Sequence, residues 1–209
     1  MKQKAYRLEP IINLATGRAI GHELLAGATS CPTWTDQEWR HWYDFLSQEI
    51  PELASKMDGL IFLNLSGRQL LDSQISRSIR ALRELAPRIV IEWVEQHFHE
   101  EQLIDVLVKL NFLKGLGFVV AIDDIGASMG VDGLSRAGAI EAGFCKIDGS
   151  YFQNLRDQGP DALRGLFQHL SHGGSRIIVE WIETEDDKHV ATAAGAHFGQ
   201  GFLWGKNRG

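Results

Sequence analysis

Several things are scarce in this chain of 209 residues, and each scarcity excludes something. The two cysteines, Cys31 and Cys145, supply neither a disulfide framework nor a C-x-x-C pair, so a reducing cytoplasm is the expected compartment. There is no run of eighteen apolar residues, so no membrane span is expected. The opening Met1-Lys2-Gln3-Lys4 leads directly into Tyr6 and Leu8, without the apolar stretch and small-residue cleavage site of a signal peptide. A cationic surplus is missing too: the formal net charge is −6, which speaks against broad electrostatic capture of DNA or RNA. A small anionic ligand stays compatible if metal ions held by carboxylates offset its charge. No G-x-G-x-x-G or G-x-x-x-x-G-K-[ST] follows an early strand, so the nucleotide-binding forms of an open sheet lose support. No internal repeat or low-complexity tract is visible.

What is present is an alternation of extended and helical patterns. Apolar residues make up 44% of the chain and charged residues 23%, as in a globular domain able to bury a substantial core. Leu60–Leu65, Arg88–Val94, Phe118–Ile122, Phe144–Ile147 and Ile177–Ile182 read as short strands buried on both faces. Tyr6–Leu14 and Ala19–Leu25 read as two more, joined by a turn at Ala15-Thr16-Gly17-Arg18, and His197–Phe202 as a last one. Between them lie helices. Thr35 and Glu38 form a capping box ahead of Trp39, Trp42, Tyr43 and Leu46. Ser66 and Gln69 form another, leading to Leu70, Leu71, Ile75 and Ile79. Leu103, Val106, Leu107 and Leu110 keep helical spacing up to a stop at Gly115. Leu163, Leu166, Phe167 and Leu170 do so before Gly173-Gly174. This order predicts parallel strands with crossover helices, in a closed barrel or an open doubly wound sheet.

The polar residues fall where these strands end. Glu23 closes the second strand, Asn64 and Ser66 the third, and Glu92 and Glu95 the next. Asp123-Asp124, Lys146 and Asp148, Glu180 and Glu183 follow in the same way, and Gln200 lies in the last. In a parallel barrel these ends share one rim, where catalytic groups lie. Several carboxylates side by side cannot all stay ionised without cations. Hard oxygen donors suit Mg²⁺, Mn²⁺ or Ca²⁺, and the shortage of Cys and clustered His disfavours zinc. Two metals roughly 3.5–4 Å apart would clamp the attacking and leaving oxygens of a phosphoester. Lys146 would offset phosphoryl charge and Glu180 would take a proton from water. Plainer roles compete: Asp123-Asp124 as a turn, Lys146 as a structural partner of Asp148 or Glu180, Ser66 as a helix cap. His97-Phe98-His99 reads as a polar helix start, Trp34, Trp39 and Trp42 as core packing, and Cys145 as an inert buried thiol.

These segments resemble the EAL family of cyclic di-GMP phosphodiesterases. Glu9-Pro10-Ile11-Ile12-Asn13-Leu14-Ala15-Thr16-Gly17 resembles the family's opening strand and turn, and Glu23-Leu24-Leu25 stands at its Glu-Ala-Leu. Asn64-Leu65-Ser66, Glu92-Trp93-Val94-Glu95, Asp123-Asp124-Ile125-Gly126, Lys146-Ile147-Asp148, Glu180-Trp181-Ile182-Glu183-Thr184 and Gln200-Gly201 follow in the family's order. The resemblance runs from about Tyr6 to about Gly205.

The resemblance implies an α/β fold, a modified TIM (β/α)8 barrel whose first strand is antiparallel. Residues 1–209 would form a single domain, truncated at its C-terminal end. It implies a two-metal site for Mg²⁺ or Mn²⁺ held by Glu23, Asn64, Glu92, Asp123 and Asp124. Lys146 would contact metal-bound water or phosphate, Glu180 would be the general base and Gln200 would orient water. Glu95 and Glu183 would support them, and Leu25 and Glu9 would face the substrate. The reaction would open cyclic di-GMP to linear pGpG. The chain departs from the family at Gly27, where an arginine is usual, at Glu9 in place of glutamine, and at Trp181 in place of a small residue. It departs also in the loop Ile125-Gly126-Ala127-Ser128-Met129-Gly130 and in a shortened stretch between Glu23 and Asn64. These departures define the alternative: a degenerate EAL domain that binds cyclic di-GMP without cutting it, or regulates a protein partner, with a homodimer as a further expectation. A third reading is an unrelated barrel enzyme acting on another phosphoester.

Overall fold

The computed structural model describes residues 6–27, 33–94, 102–127, 132–158 and 160–205. Eight strands close into one barrel in sequence order. They are β1 (Tyr6–Asn13), β2 (Ala19–Ala26), β3 (Leu60–Ser66), β4 (Ile89–Val94), β5 (Val119–Ile125), β6 (Phe144–Ile147), β7 (Arg176–Val179) and β8 (Phe198–Gly199). Around them pack α1 (Asp36–Lys56), α2 (Gly67–Leu71), α3 (Ser73–Ala81), α4 (Leu103–Gly115), α5 (Asp132–Ala139), α6 (Gly149–Gln158), α7 (Pro160–His172) and α8 (Glu185–Ala194). The closed alternative is therefore the one adopted.

β1 runs antiparallel to both its neighbours, β2 and β8, while β2 to β8 are mutually parallel. The cause is local. Asn13 folds the chain back by accepting from the amides of Ala15 and Thr16 at 3.0 and 2.9 Å. Gly17 completes the turn at φ 69°, a left-handed conformation open to glycine without penalty. So short a connection makes a hairpin; a parallel pair would need a crossover of a dozen residues or more.

Both expected capping boxes form, with Thr35 capping α1 and Ser66 capping α2. One expected helix is divided. The run Leu70, Leu71, Ile75, Ile79 breaks at Asp72, whose carboxylate caps α3 by accepting from the amides of Gln74 and Ile75. The strand expected over Ile177–Ile182 ends at Val179, and the one expected over His197–Phe202 is two residues long. In both, the backbone leaves the ladder as it turns over the rim. Helices α5, α6 and α8 were not read from the sequence; Gly, Ser, Asp and Thr dilute their apolar faces.

Two apolar regions result. The larger lies between the strands and the helices. The smaller fills the barrel itself and takes Ile11, Phe62, Val90, Ala121, Phe144, Ile178 and Phe198 from seven strands. Arg176 closes its lower end, with its guanidinium 4.2 Å from the centre of the Phe144 ring.

Candidate active site

The site is the next layer of the barrel. Strand side chains alternate between faces, so the residue two positions from an interior one also points inward. Counting two residues toward the rim from Phe62, Val90, Ala121, Phe144, Ile178 and Phe198 gives Asn64, Glu92, Asp123, Lys146, Glu180 and Gln200. β1 runs the other way, so there the count from Ile11 is backward, to Glu9. Glu23 pairs with Glu9 across the hairpin. One period-two rule applied to seven strands, with β2 placed by its pairing, thus sets a polar ring on an apolar floor.

Contacts confirm the convergence. Lys146 Nζ lies 3.2 Å from Glu23, 3.1 Å from Glu92, 3.0 Å from Asp123 and 3.0 Å from Glu180. Its partners therefore include Glu180 and not Asp148, which instead caps α6 by accepting from the amide of Tyr151. Glu23 also accepts from Asn64 Nδ2 at 2.6 Å and from Gln200 Nε2 at 2.7 Å. Gln200 Nε2 reaches Glu9 at 3.3 Å. Asp124 follows Asp123 with φ 57°, a left-handed turn that Asp tolerates, and its carboxylate stands with those of Asp123 and Glu180. The ligand atoms of these three lie within 4.8 Å of one another.

The charges explain what this ring needs. Burial, followed by the charges of Glu23 and Asp123, pushes Glu92 well above the usual carboxylate range. Burial likewise raises Asp123, and it lifts Asp124 to about 6 with help from Asp123. Glu180 is pushed up to about 8, first by burial. Burial works against the ionised form of Glu23 as well, yet Lys146, Gln200 and Asn64 outweigh it and hold that carboxyl low. Burial opposes the charge on Lys146; the surrounding carboxylates outweigh it, so the ammonium persists. Five carboxylates around one ammonium call for protons or cations.

The donor set fits divalent metal ions. It consists of carboxylate and amide oxygens, the hard ligands that Mg²⁺, Mn²⁺ and Ca²⁺ take. Asn64 Oδ1, Gln200 Oε1 and Glu92 Oε2 are buried acceptors with no hydrogen-bond donor opposite them among the described residues. Such orphaned oxygens are costly unless a cation or water meets them.

Above the ring opens a cavity of about 540 Å³, a size typical of small-molecule sites. Leu25, Glu9 and Glu183 line it, as does Trp181 with its indole over Gly149. Glu183 is exposed, and its backbone amide donates to Asp187. Glu95 lies outside the described residues, as do His97, His99, Cys31 and most of the loop after Ala127. Two residues that hold strand ends in place were missed by sequence reasoning. Tyr43 of α1 donates its hydroxyl to the backbone carbonyl of Asn64. Arg136 of α5, almost wholly buried, donates to the carbonyls of Trp93 and Asp123 and so ties the ends of β4 and β5 together. Neither carries a sequence signal, because their targets are main-chain atoms remote along the chain.

An antiparallel-led (β/α)8 barrel with a carboxylate ring suited to divalent metal ions is the class that fold and site define. The particular family follows from comparison: residues 42–207 match the EAL domain model, and the chain belongs to that family. It is 31% identical over 101 residues to the cyclic di-GMP phosphodiesterase PdeF of Escherichia coli, which covers 47% of this chain and 13% of PdeF. The chain thus spans a small part of that relative's length. The EAL enzyme Bd1971, solved with cAMP and cyclic di-GMP bound, is 25% identical with a TM-score of 0.68, covering 97% of this chain and 62% of that one. The manganese and cyclic di-GMP complex of Klebsiella pneumoniae BlrP1 shares the fold at 19% identity and a TM-score of 0.76, over 97% of this chain and 56% of that one.

Proposed function

We propose that this chain is a metal-dependent phosphodiesterase that hydrolyses cyclic di-GMP to linear pGpG. The observation that carries the reading is the Lys146 ammonium of β6 within 3.0–3.2 Å of Glu23, Glu92, Asp123 and Glu180, which come from four other strand ends. A module that only binds has no need of that full constellation. Family membership and the relatives named above point the same way.

Glu23, Asn64, Glu92, Asp123 and Asp124 would hold the divalent ions, Mg²⁺ or Mn²⁺. Those ions would neutralise phosphoryl charge and make water more acidic. Glu180, with its raised proton affinity, takes the proton of the attacking water. Lys146 stabilises charge that develops on the phosphoryl oxygens. Gln200 keeps Glu23 oriented through its 2.7 Å bond. Attack at phosphorus forms one P–O bond and breaks the ester bond to a ribose oxygen, which leaves with a proton.

The test is product analysis. Purified protein is incubated with cyclic di-GMP and Mg²⁺ or Mn²⁺, and pGpG is read by chromatography. Glu180→Gln and Glu23→Ala are each expected to lower the rate by about 100-fold or more. Calorimetric binding without turnover in the unaltered chain would select the receptor reading instead. Absence of both would leave a protein partner or another phosphoester.

A further inference from the structure

The geometry points to Arg7 as the residue that grips the non-reacting phosphate of the dinucleotide at the mouth of the barrel. This assignment rests on the proposed function and deepens it. Arg7, Glu9 and Ile11 occupy the same face of β1. Ile11 belongs to the apolar floor and Glu9 to the polar ring. Because β1 is antiparallel to its neighbours, the beginning of this strand, and not its end, rises to the rim. Arg7 therefore stands one strand repeat, roughly 7 Å, above the ring. It pairs across the hairpin with Leu25, another residue of the cavity wall.

Charge makes the position informative. Among the described residues, the charged side chains lining the cavity are Glu9, Glu23, Asp123, Asp124, Glu180 and Glu183, with Lys146 and Arg7 as the cations. Lys146 is buried in the ring itself, among four carboxylates, where it serves the reacting phosphate. Arg7 keeps 57% of its side chain exposed and donates Nε to Glu9 at 3.0 Å. That contact aims the fork and leaves the two terminal nitrogens to an anion. A polar relay connects the two cations: Arg7 to Glu9, Glu9 to Gln200 at 3.3 Å, Gln200 to Glu23 at 2.7 Å, and Glu23 to Lys146 at 3.2 Å. A cyclic dinucleotide carries two phosphodiester charges. With one at the ring, the other falls against a wall whose remaining described side chains are acidic, amide or apolar, and Arg7 supplies the cation there.

The test separates binding from chemistry. In steady-state hydrolysis of cyclic di-GMP, Arg7→Gln is expected to raise KM about 10- to 100-fold and leave kcat within about threefold. Arg7→Lys, which keeps the charge and loses the fork, should fall between. Glu9→Gln, which removes an opposing charge and keeps an oxygen to accept from Arg7 Nε, should lower KM. Calorimetric Kd values in the Glu180→Gln background should follow the same order, so the assignment can be read even if the chain binds without cutting. Added salt should weaken the Arg7 protein more steeply than Arg7→Gln. Arg7→Gln with both KM and Kd within about twofold of the unaltered protein overturns the assignment and leaves the phosphodiesterase reading standing. A loss confined to kcat overturns it as well. An unaltered chain that neither binds nor cleaves cyclic di-GMP overturns both. Melting curves exclude misfolding, since an exposed strand-end arginine contributes little to stability.

Discussion

Trp181 holds φ at 53°, in the left-handed region where a side chain crowds the following carbonyl. It stays there because Gly149 opposite has no Cβ; one added would lie 2.0 Å from the indole Cγ. The strained conformation follows immediately after Glu180, so it helps to aim the carboxylate expected to act as base. Two substitutions isolate the strain. Trp181→Gly and Trp181→Ala both remove the indole, but only glycine accepts the dihedral without cost. The glycine variant is expected to be the more stable by about 1 kcal/mol, or roughly 2–4 °C in thermal melting. Equal melting temperatures would show that the backbone relaxes once the ring is gone. Residues such as Asn64, Asp123 and Glu180 were legible because each follows an apolar run at the right offset. Arg7 was not, because its importance comes from the reversed direction of β1 and not from its neighbours in sequence.

At the scale of elements, the attachment of α1 to the barrel shows how a helix end is satisfied without glycine. The last carbonyls of a helix have no intrahelical partner. Here Arg88, just before β4, donates to Ala54 at 2.8 Å, Met57 at 2.5 Å and Gly59 at 3.0 Å. One guanidinium thus fastens the end of α1 and the connection into β3 to the base of β4. Replacing it with alanine is expected to cost about 2 kcal/mol, read as a lower midpoint in urea with an unchanged slope. Lysine should recover part of this, since a single ammonium cannot span three carbonyls. A shift below about 0.5 kcal/mol would mean that water replaces the guanidinium at no loss. The hairpin, both capping boxes and the start and stop of α4 were legible, because they depend on residues within a few positions. The break at Asp72 was not. There the apolar spacing carries on, and a local cap held also by Arg40 at 2.8 Å overrides it.

For the molecule as a whole, the carboxylate ring makes stability depend on pH and on cations. Glu180 rises from an ordinary value of 4.5 to about 8 on folding, and Asp124 from 3.8 to about 6. Their folded values exceed the unfolded ones, so the folded state holds more protons across that interval. Stability is therefore fully present below about pH 4 for these groups and is lost as pH rises through 4 to 8. The metal-free protein is expected to melt at a lower temperature at pH 8 than at pH 5.5. Mg²⁺ or Mn²⁺, which favours the ionised carboxylates, should raise the melting temperature more at pH 8 than at pH 5.5. A metal-free melting temperature that climbs steadily to pH 8 would show that the ring is less confined than its contacts indicate.

The sequence by itself determined the alternation of strand and helix, the hairpin that reverses β1, and the set of polar residues at strand ends. Each of these follows from local patterning: side-chain period, caps and turn residues. Strand and helix patterning left closure to three dimensions, because an open sheet and a barrel share the same local signals; the resemblance to EAL domains anticipated the barrel, and the structure has it. Closure is also what packs Glu23 against Lys146, 123 residues apart in sequence, at 3.2 Å. The strained Trp181 on Gly149, the buried Arg136 across two strand ends and Arg7 at the mouth belong to that second kind. Their partners are backbone atoms, empty space or charges brought together by the ring of strands, and no spacing along the chain encodes such neighbours.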